Sequence, residues 1–152
     1  MDITFGKYQG KSSQEVVVKH GSYAKWVLEQ AAAGSPLGTL QTDLKRLIAK
    51  LDAKPHTGKC SYPGCTRPPC KLTAYDNNDA DLYAWCSVCD PYSLGANRGK
   101  LSLVSNYKDA LNHVSIRCGA TKGGYDRIAK AYAQSKGLPS RVGASSAKKF
   151  FE

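Results

Sequence analysis

Apolar side chains recur at helical spacing most clearly between residues 39 and 55. Five of them fall three or four positions apart, and the basic residues of this stretch lie off that stripe, which predicts an amphipathic helix. The five are Leu40, Leu44, Leu47, Ile48 and Leu51. Pro55 is expected to end the helix, and the Ser-Pro-Leu-Gly at 35–38 is expected to be a connector.

Two shorter helices are predicted before this one. Ser12 and Glu15 have capping-box spacing, so a helix should run through the sequence EVVVKH. Ser22 is expected to cap the next helix, and Gly34 to end it. We expect Trp26, on the same face as other large residues, to pack in a small core.

The residues ahead of these helices alternate between apolar and polar. Ile3 and Phe5 would share one face, while Gly6 and Gly10 mark turns, so a small hairpin is predicted.

The rest of the chain divides into two further parts. Residues 55–118 are rich in Gly, Pro, Asn, Asp and Cys and show little periodicity. Residues 119–152 contain one amphipathic helix, GGYDRIAKAYAQSKG, with Tyr125, Ile128 and Tyr132 on one side, followed by a basic tail expected to be partly ordered. The predicted fold class is α+β: a hairpin and helices at 1–54, a loop-rich centre and a C-terminal basic helix.

The first segment resembles a known family. Phe5-Gly6-Lys7-Tyr8, then Gly10-Lys11, a short helix, and Ser22-Tyr23 leading to Trp26 are similar to the small domain at the C-terminus of exodeoxyribonuclease X. About 30 residues carry the resemblance. It implies an α+β module associated with DNA-processing proteins. It does not imply nuclease activity, because the nuclease chemistry of those enzymes lies in a separate domain that this chain lacks.

The net charge of the chain indicates the kind of partner to expect. Twenty-two Lys and Arg against twelve Asp and Glu give a formal charge of +10, and residues 101–152 alone hold nine bases and three acids. Such an excess suits a polyanionic partner, of which nucleic acid is the commonest, although a solubilising surface gives the same composition. No apolar run approaches the ~18 residues of a membrane helix, so no membrane partner is expected. No secretory signal is visible at the start.

The six cysteines supply the candidate chemistry. Without a secretory signal, a reducing intracellular compartment (cytoplasm or nucleus) is expected, where clustered cysteines are more often metal ligands or catalytic thiols than disulfides. Cys60 and Cys65, twenty intervening residues, and then Cys86 and Cys89 have the spacing of a structural zinc site. Zinc would supply the folding energy that a segment poor in apolar residues lacks.

Two alternatives stand beside that assignment. Cys70 follows Cys65 by the same interval and is a possible substitute ligand, although the Pro-Pro before it stiffens the chain. Trp85 followed by Cys86-x-x-Cys89 is also typical of a redox dithiol, which needs a helix start that Pro91 disfavours. Cys118 is expected to be a buried or free thiol.

Candidate nucleic-acid contacts come from three places. The hairpin offers two lysines that flank a tyrosine, the loop after the second cysteine pair offers two bases, and the C-terminal helix and tail offer four. In order they are Lys7, Tyr8 and Lys11; Arg98 and Lys100; and Arg127, Lys130, Lys136 and Arg141.

These features predict a non-catalytic, zinc-containing accessory protein that binds nucleic acid, DNA rather than RNA, in replication, recombination or repair. An adaptor or inhibitor that binds an acidic protein partner is the alternative. A small zinc-containing nuclease is a lesser one, because Asn112-His113 has only Asp109 as a nearby acid.

Overall fold

The computed structural model describes residues 1–31, 34–75, 80–90 and 101–152, and within them the chain forms six helices and one three-stranded antiparallel sheet. In chain order the elements are α1 Ser13–Lys19, α2 Gly21–Glu29, α3 Pro36–Ala53, β1 Lys71–Tyr75, β2 Tyr83–Trp85, β3 Leu101–Val104, α4 Tyr107–Arg117, α5 Lys122–Ser135 and α6 Ala144–Phe150. The predicted α+β class is confirmed. No helix in these ranges is long and apolar enough to cross a bilayer.

The first residues form a closed loop rather than a pair of strands. The Ile3 amide donates to the Lys11 carbonyl at 2.8 Å, and the Gly10 amide donates back to the Ile3 carbonyl at 2.9 Å. A single bridge pairs Asp2 with Ser12. The expected hairpin is thus reduced to one antiparallel contact, and the Ser12 hydroxyl then caps α1 by accepting from the Glu15 amide at 3.1 Å, as predicted.

Helix α3 begins earlier than its apolar stripe indicated. Ser35 caps it by accepting from the Gly38 amide at 3.1 Å, and Pro36 occupies the first turn, where its missing N–H is no loss. The connector predicted at 35–38 is therefore wrong, because these residues are themselves a helix start.

Helix α2 departs from prediction at both ends. Ser22 lies inside the first turn and does not cap it. Its amide and hydroxyl both donate to the Asp126 carboxylate of α5, at 3.0 and 2.8 Å. The helix ends at Glu29, before the predicted Gly34. A carboxylate from another helix thus satisfies one amide of the first turn, that of Ser22, through a tertiary contact that local spacing does not reveal.

The sheet has strand order β2-β1-β3 and separates two interiors. Leu72 and Ala74 of β1 belong to the main core, with the apolar side chains of the helices. Thr73 and Tyr75 point to the opposite side, where a second cluster is built around Trp85. Because neighbouring residues of a strand face opposite ways, β1 serves both interiors.

The end of the chain is packed rather than a tail. Helix α6 contacts α1, and Leu138, Ala147 and Phe151 are buried in the main core. The expectation of a partly ordered tail is wrong, since three apolar side chains spaced along it find places in the core. The main core draws on residues from Ile3 to Phe151.

Candidate metal centre

The first cysteine pair lies on a tight turn. The Cys65 amide donates to the Tyr62 carbonyl at 3.0 Å, with Pro63 and Gly64 between them. Gly64 has φ +81°, so this is a type II turn with proline and glycine at their preferred positions. A positive φ is strained for most residues but not for glycine. The turn carries the Cys65 sulfur back toward Cys60.

The second pair lies at the end of β2. Cys86 follows that strand directly, and residues 87–89 form a turn. The Cys89 amide points at the Cys86 sulfur, with N···Sγ at 3.4 Å. Residues 86–90 form no helix, so the described residues show no support for a redox dithiol at a helix start.

Backbone hydrogen bonds hold the two pairs against each other. The Cys60 amide donates to the Arg67 carbonyl at 3.0 Å, which closes the first loop, and the Ser61 amide donates to Ala84 of β2 at 2.7 Å. The Cys70 amide donates to the Trp85 carbonyl at 2.8 Å. The first loop is therefore bound along the strand from which the second pair emerges.

Four sulfurs meet as a result. The Sγ atoms of Cys60, Cys65, Cys86 and Cys89 lie within 4.8 Å of one another, and the Cys65–Cys86 separation is 3.9 Å. Four thiolates around one ion with metal–sulfur bonds of about 2.3 Å would stand ~3.8 Å apart. All four are free thiols, since a disulfide would need ~2.05 Å. In the part of the chain that the structure describes, no other group of His, Cys, Asp or Glu is close enough to hold an ion.

Cys70 and Cys118 lie outside this cluster. Cys70 is exposed on the approach to β1, so the substitution weighed from spacing does not occur. Cys118 is buried, as expected, at the end of α4, where its sulfur is 3.5 Å from Nε2 of His113. The ring of His113 is also buried and has Nδ1 3.2 Å from the Ser102 hydroxyl, which joins α4 to β3.

The thiols of Cys86 and Cys89 have pKa values shifted in opposite directions. Amide donation from Cys89 lowers the pKa of the Cys86 thiol to about 6. Burial raises the pKa of the Cys89 thiol, and the neighbouring sulfurs raise it further. Crowding of the sulfurs thus opposes several thiolates at once, and a bound cation would offset that cost.

The surroundings of the sulfurs are ordered by β1. The indole N–H of Trp85 donates to the Thr73 hydroxyl at 2.7 Å in a buried contact. The Lys71 ammonium pairs with the Asp90 carboxylate directly after Cys89, and that carboxylate is almost completely buried. Two side-chain contacts, Trp85 with Thr73 and Asp90 with Lys71, thus join the cysteine cluster to β1.

The three predicted nucleic-acid contacts in the first segment differ in their exposure to solvent. Lys7 is exposed. Lys11 is also exposed, and its ammonium lies 3.8 Å from the Glu15 carboxylate. The ring of Tyr8 is only 8% exposed and packs against Tyr23 and His20. The prediction that Tyr8 offers a face to a base is wrong, because its ring lies inside the protein.

The four predicted nucleic-acid contacts in the C-terminal helix and tail also differ in exposure. Lys130 is half-buried and Arg141 exposed, while Arg127 makes a two-point contact with Asp81 at 2.7 and 3.1 Å. Lys136 is 8% exposed. Its ammonium donates to the Lys54 carbonyl at 2.8 Å, and burial lowers its pKa, so its assignment as a phosphate contact is wrong. Arg98 and Lys100 lie outside the described residues.

Sequence reasoning missed three surface residues. Lys59 and Arg67 are exposed beside the cysteine turn. Trp26, expected in the core, is 48% exposed and stacks on Tyr23 with ring centroids 5.6 Å apart. Helical periodicity placed Trp26 beside buried residues, and only the tertiary structure shows that the described residues leave about half of its surface uncovered.

Comparisons with models of protein families, with curated proteins and with solved structures found no match. The resemblance of the first segment to the exodeoxyribonuclease X domain stays a prediction.

Proposed function

We propose that this protein binds nucleic acid, with DNA rather than RNA as the expected partner, as a non-catalytic accessory factor in replication, recombination or repair. In this proposal the four clustered cysteines hold one structural zinc ion. The observation that carries it is the excess of ten positive charges on a folded body whose described basic side chains are mostly at the surface. Four thiolates and one zinc would change the formal charge from +10 to about +8.

Zinc is the metal that the donor set favours. Four sulfur ligands suit zinc or iron rather than the hard cations, which take oxygen. A site with four protein ligands leaves no open position for substrate, which is typical of a structural ion. The role of the zinc would be to fix the loop of residues 60–70 against residues 83–90. It would thereby also hold Lys59 and Arg67, the exposed bases beside the turn, in place.

The metal assignment is tested by elemental analysis of the purified protein and of two cysteine variants. Wild type and Cys70→Ser should each carry one zinc per chain, because Cys70 lies outside the cluster. Cys86→Ser should lose most of it. A wild-type protein purified without chelator and free of metal would refute the assignment.

Nucleic-acid binding is tested by the anisotropy of a labelled DNA duplex titrated at several salt concentrations. The logarithm of affinity should fall linearly with the logarithm of salt, by about 0.9 for each phosphate neutralised. Lys130→Glu with Arg141→Glu should weaken binding and lower that slope. Binding that is absent, or independent of salt, would contradict the proposal.

The alternative, an adaptor for an acidic protein, has one specific observation in its favour. A groove of about 480 Å³ has Leu28, Ile48 and Leu111 in its lining, together with the exposed Lys45 and Lys108. An acidic, partly apolar segment would suit it. Lys45→Glu with Lys108→Glu serves as the matched pair. It should weaken binding of such a partner and leave DNA binding nearly unchanged, whereas the Lys130 and Arg141 pair should weaken binding of DNA and leave that of the partner nearly unchanged.

A further inference from the structure

An aromatic surface separate from the cysteine cluster lies between the N-terminal loop and the starts of α2 and α3. It borders a groove of about 590 Å³ lined by Phe5, Lys7, Tyr23, Trp26, Pro36 and Leu37, among others. The lining is almost entirely apolar apart from Lys7. A contiguous apolar surface with an exposed tryptophan is typical of a binding site.

The rings are layered. Tyr8 packs on Tyr23 with centroids 4.4 Å apart, and Tyr23 stacks on Trp26 at 5.6 Å with the planes inclined by 20°. The outermost ring, Trp26, is 48% exposed, while the innermost, Tyr8, is buried. A further flat ring laid on Trp26 would extend the stack without rearranging the protein.

Charge at the groove favours an anionic occupant. Lys7 is exposed, and across the described ranges it has no carboxylate partner. Its ammonium lies 5.6 Å from the centre of the Tyr8 ring, which keeps it next to the aromatic stack. An unpaired nucleotide combines a flat base with a phosphate, which are the two groups that this arrangement can contact.

We propose that this groove binds single-stranded nucleic acid, with one base stacked on Trp26 and a phosphate beside Lys7. The inference rests on the proposed function and deepens it, because a duplex keeps its bases stacked inside and offers no free face to the indole. The protein would then recognise the duplex and the single strand with different residues.

The test uses oligo(dT) of about 12 nucleotides, within the range that one such surface covers, and a duplex of the same length. Trp26→Ala should lower affinity for oligo(dT) by about five- to a hundred-fold, the loss that corresponds to one base–aromatic stack. Affinity for the duplex should change less than about two-fold. Trp26→Phe keeps a ring and should recover much of the loss. Ile116→Ala removes another exposed apolar side chain, on α4, and should change neither affinity.

Fluorescence supplies a second readout. The chain has two tryptophans, and Trp85 is only 9% exposed, so oligo(dT) should quench the wild-type emission and leave that of Trp26→Phe nearly unchanged. Equal affinity of wild type and Trp26→Ala for oligo(dT), with duplex binding intact, would overturn this inference and leave the proposed function standing. Failure of wild type to bind either DNA would overturn both.

Discussion

Gly21 allows two helices to approach at the level of their backbones. A Cβ built on it would lie 2.4 Å from the Tyr125 carbonyl oxygen and 2.7 Å from the Cβ of Ala129, both on α5. These are backbone and first side-chain atoms, so the clash cannot be relieved by turning a side chain. The same contact brings the first turn of α2 to the Asp126 carboxylate.

Gly21→Ala should therefore lower the free energy of unfolding by about 1–3 kcal/mol, the usual cost of overpacking. Gly123→Ala is the matched control, because Gly123 also lies in a helix and a Cβ there meets nothing within 4 Å. It should raise stability by up to ~1 kcal/mol. Urea unfolding of the two variants checks this, and equal effects would contradict the role given to Gly21.

His56 makes the fold sensitive to acid. Its Nδ1 is buried and has no hydrogen-bond partner among the described atoms. Burial lowers the pKa of its ring, and the nearby Lys136 lowers it further. The unfolded chain therefore binds the proton more readily than the folded one, so stability is present above the ordinary histidine pKa and is lost as the pH falls below it.

His56→Phe should reduce that loss. The difference in unfolding free energy between about pH 7.5 and about pH 5.5, a window that spans the ordinary histidine value, should be smaller in the variant than in wild type. Protonation of the cysteines contributes to both proteins and drops out of the comparison. An unchanged difference would show that His56 does not supply the dependence.

At the level of elements, β1 connects the helical core with the cysteine cluster. Its link to β2 includes the buried hydrogen bond from the Trp85 indole to the Thr73 hydroxyl. Thr73→Val keeps the shape of the side chain but leaves the indole N–H unpaired, which should cost about 1–3 kcal/mol. Adding Trp85→Phe removes the orphan donor, so the double variant should lose less than the two single losses together. Urea unfolding of all four proteins gives the coupling.

The helices could be predicted and the sheet could not, for physical reasons. Leu40, Leu44, Leu47 and Leu51 repeat over about three turns, and all four are buried as the stripe indicated. The strands are three to five residues long, and β1 is covered on both faces, so it has no polar alternation to recognise. Helix α4, within the segment expected to be loop-rich, was missed for want of a clear stripe.

Among the candidate site residues too, those set by local spacing could be predicted and those set by tertiary packing could not. The four cysteines could be found because a turn places ligands at fixed local intervals. The buried state of Tyr8 and Lys136 and the exposed state of Trp26 depend on which elements meet, which a pattern of single residues does not contain.

At the level of the whole molecule, the two interiors should respond differently to removal of the metal. The main core is built mostly from helices and does not contain the four cysteines of the cluster, whereas Trp85 packs directly against Cys60 and Cys86. A structural zinc contributes of order ten kcal/mol to the shape of its own segment. Loss of the metal should therefore loosen residues 60–70 and 86–90 first.

Treatment with a strong chelator should lower the midpoint of thermal unfolding while most of the helical circular dichroism at room temperature remains. In Trp26→Phe, where Trp85 is the remaining tryptophan, the emission should shift to longer wavelength on chelation and return when zinc is added back. Cys86→Ser should show the shifted emission without chelator. Complete loss of helical signal on chelation would show that the two interiors are not separable.

Strand β1 also limits how the length of this chain can vary among related proteins. Leu72 and Ala74 enter one interior, while Thr73 and Tyr75 enter the other. Insertion of a single residue within Lys71–Tyr75 would turn the strand residues on one side of the insertion toward the opposite interior. An insertion before Leu72, for example, would place the Leu72 side chain in the cysteine cluster and the Thr73 hydroxyl in the main apolar core. Relatives that differ in length should accordingly carry their insertions and deletions outside this pentapeptide.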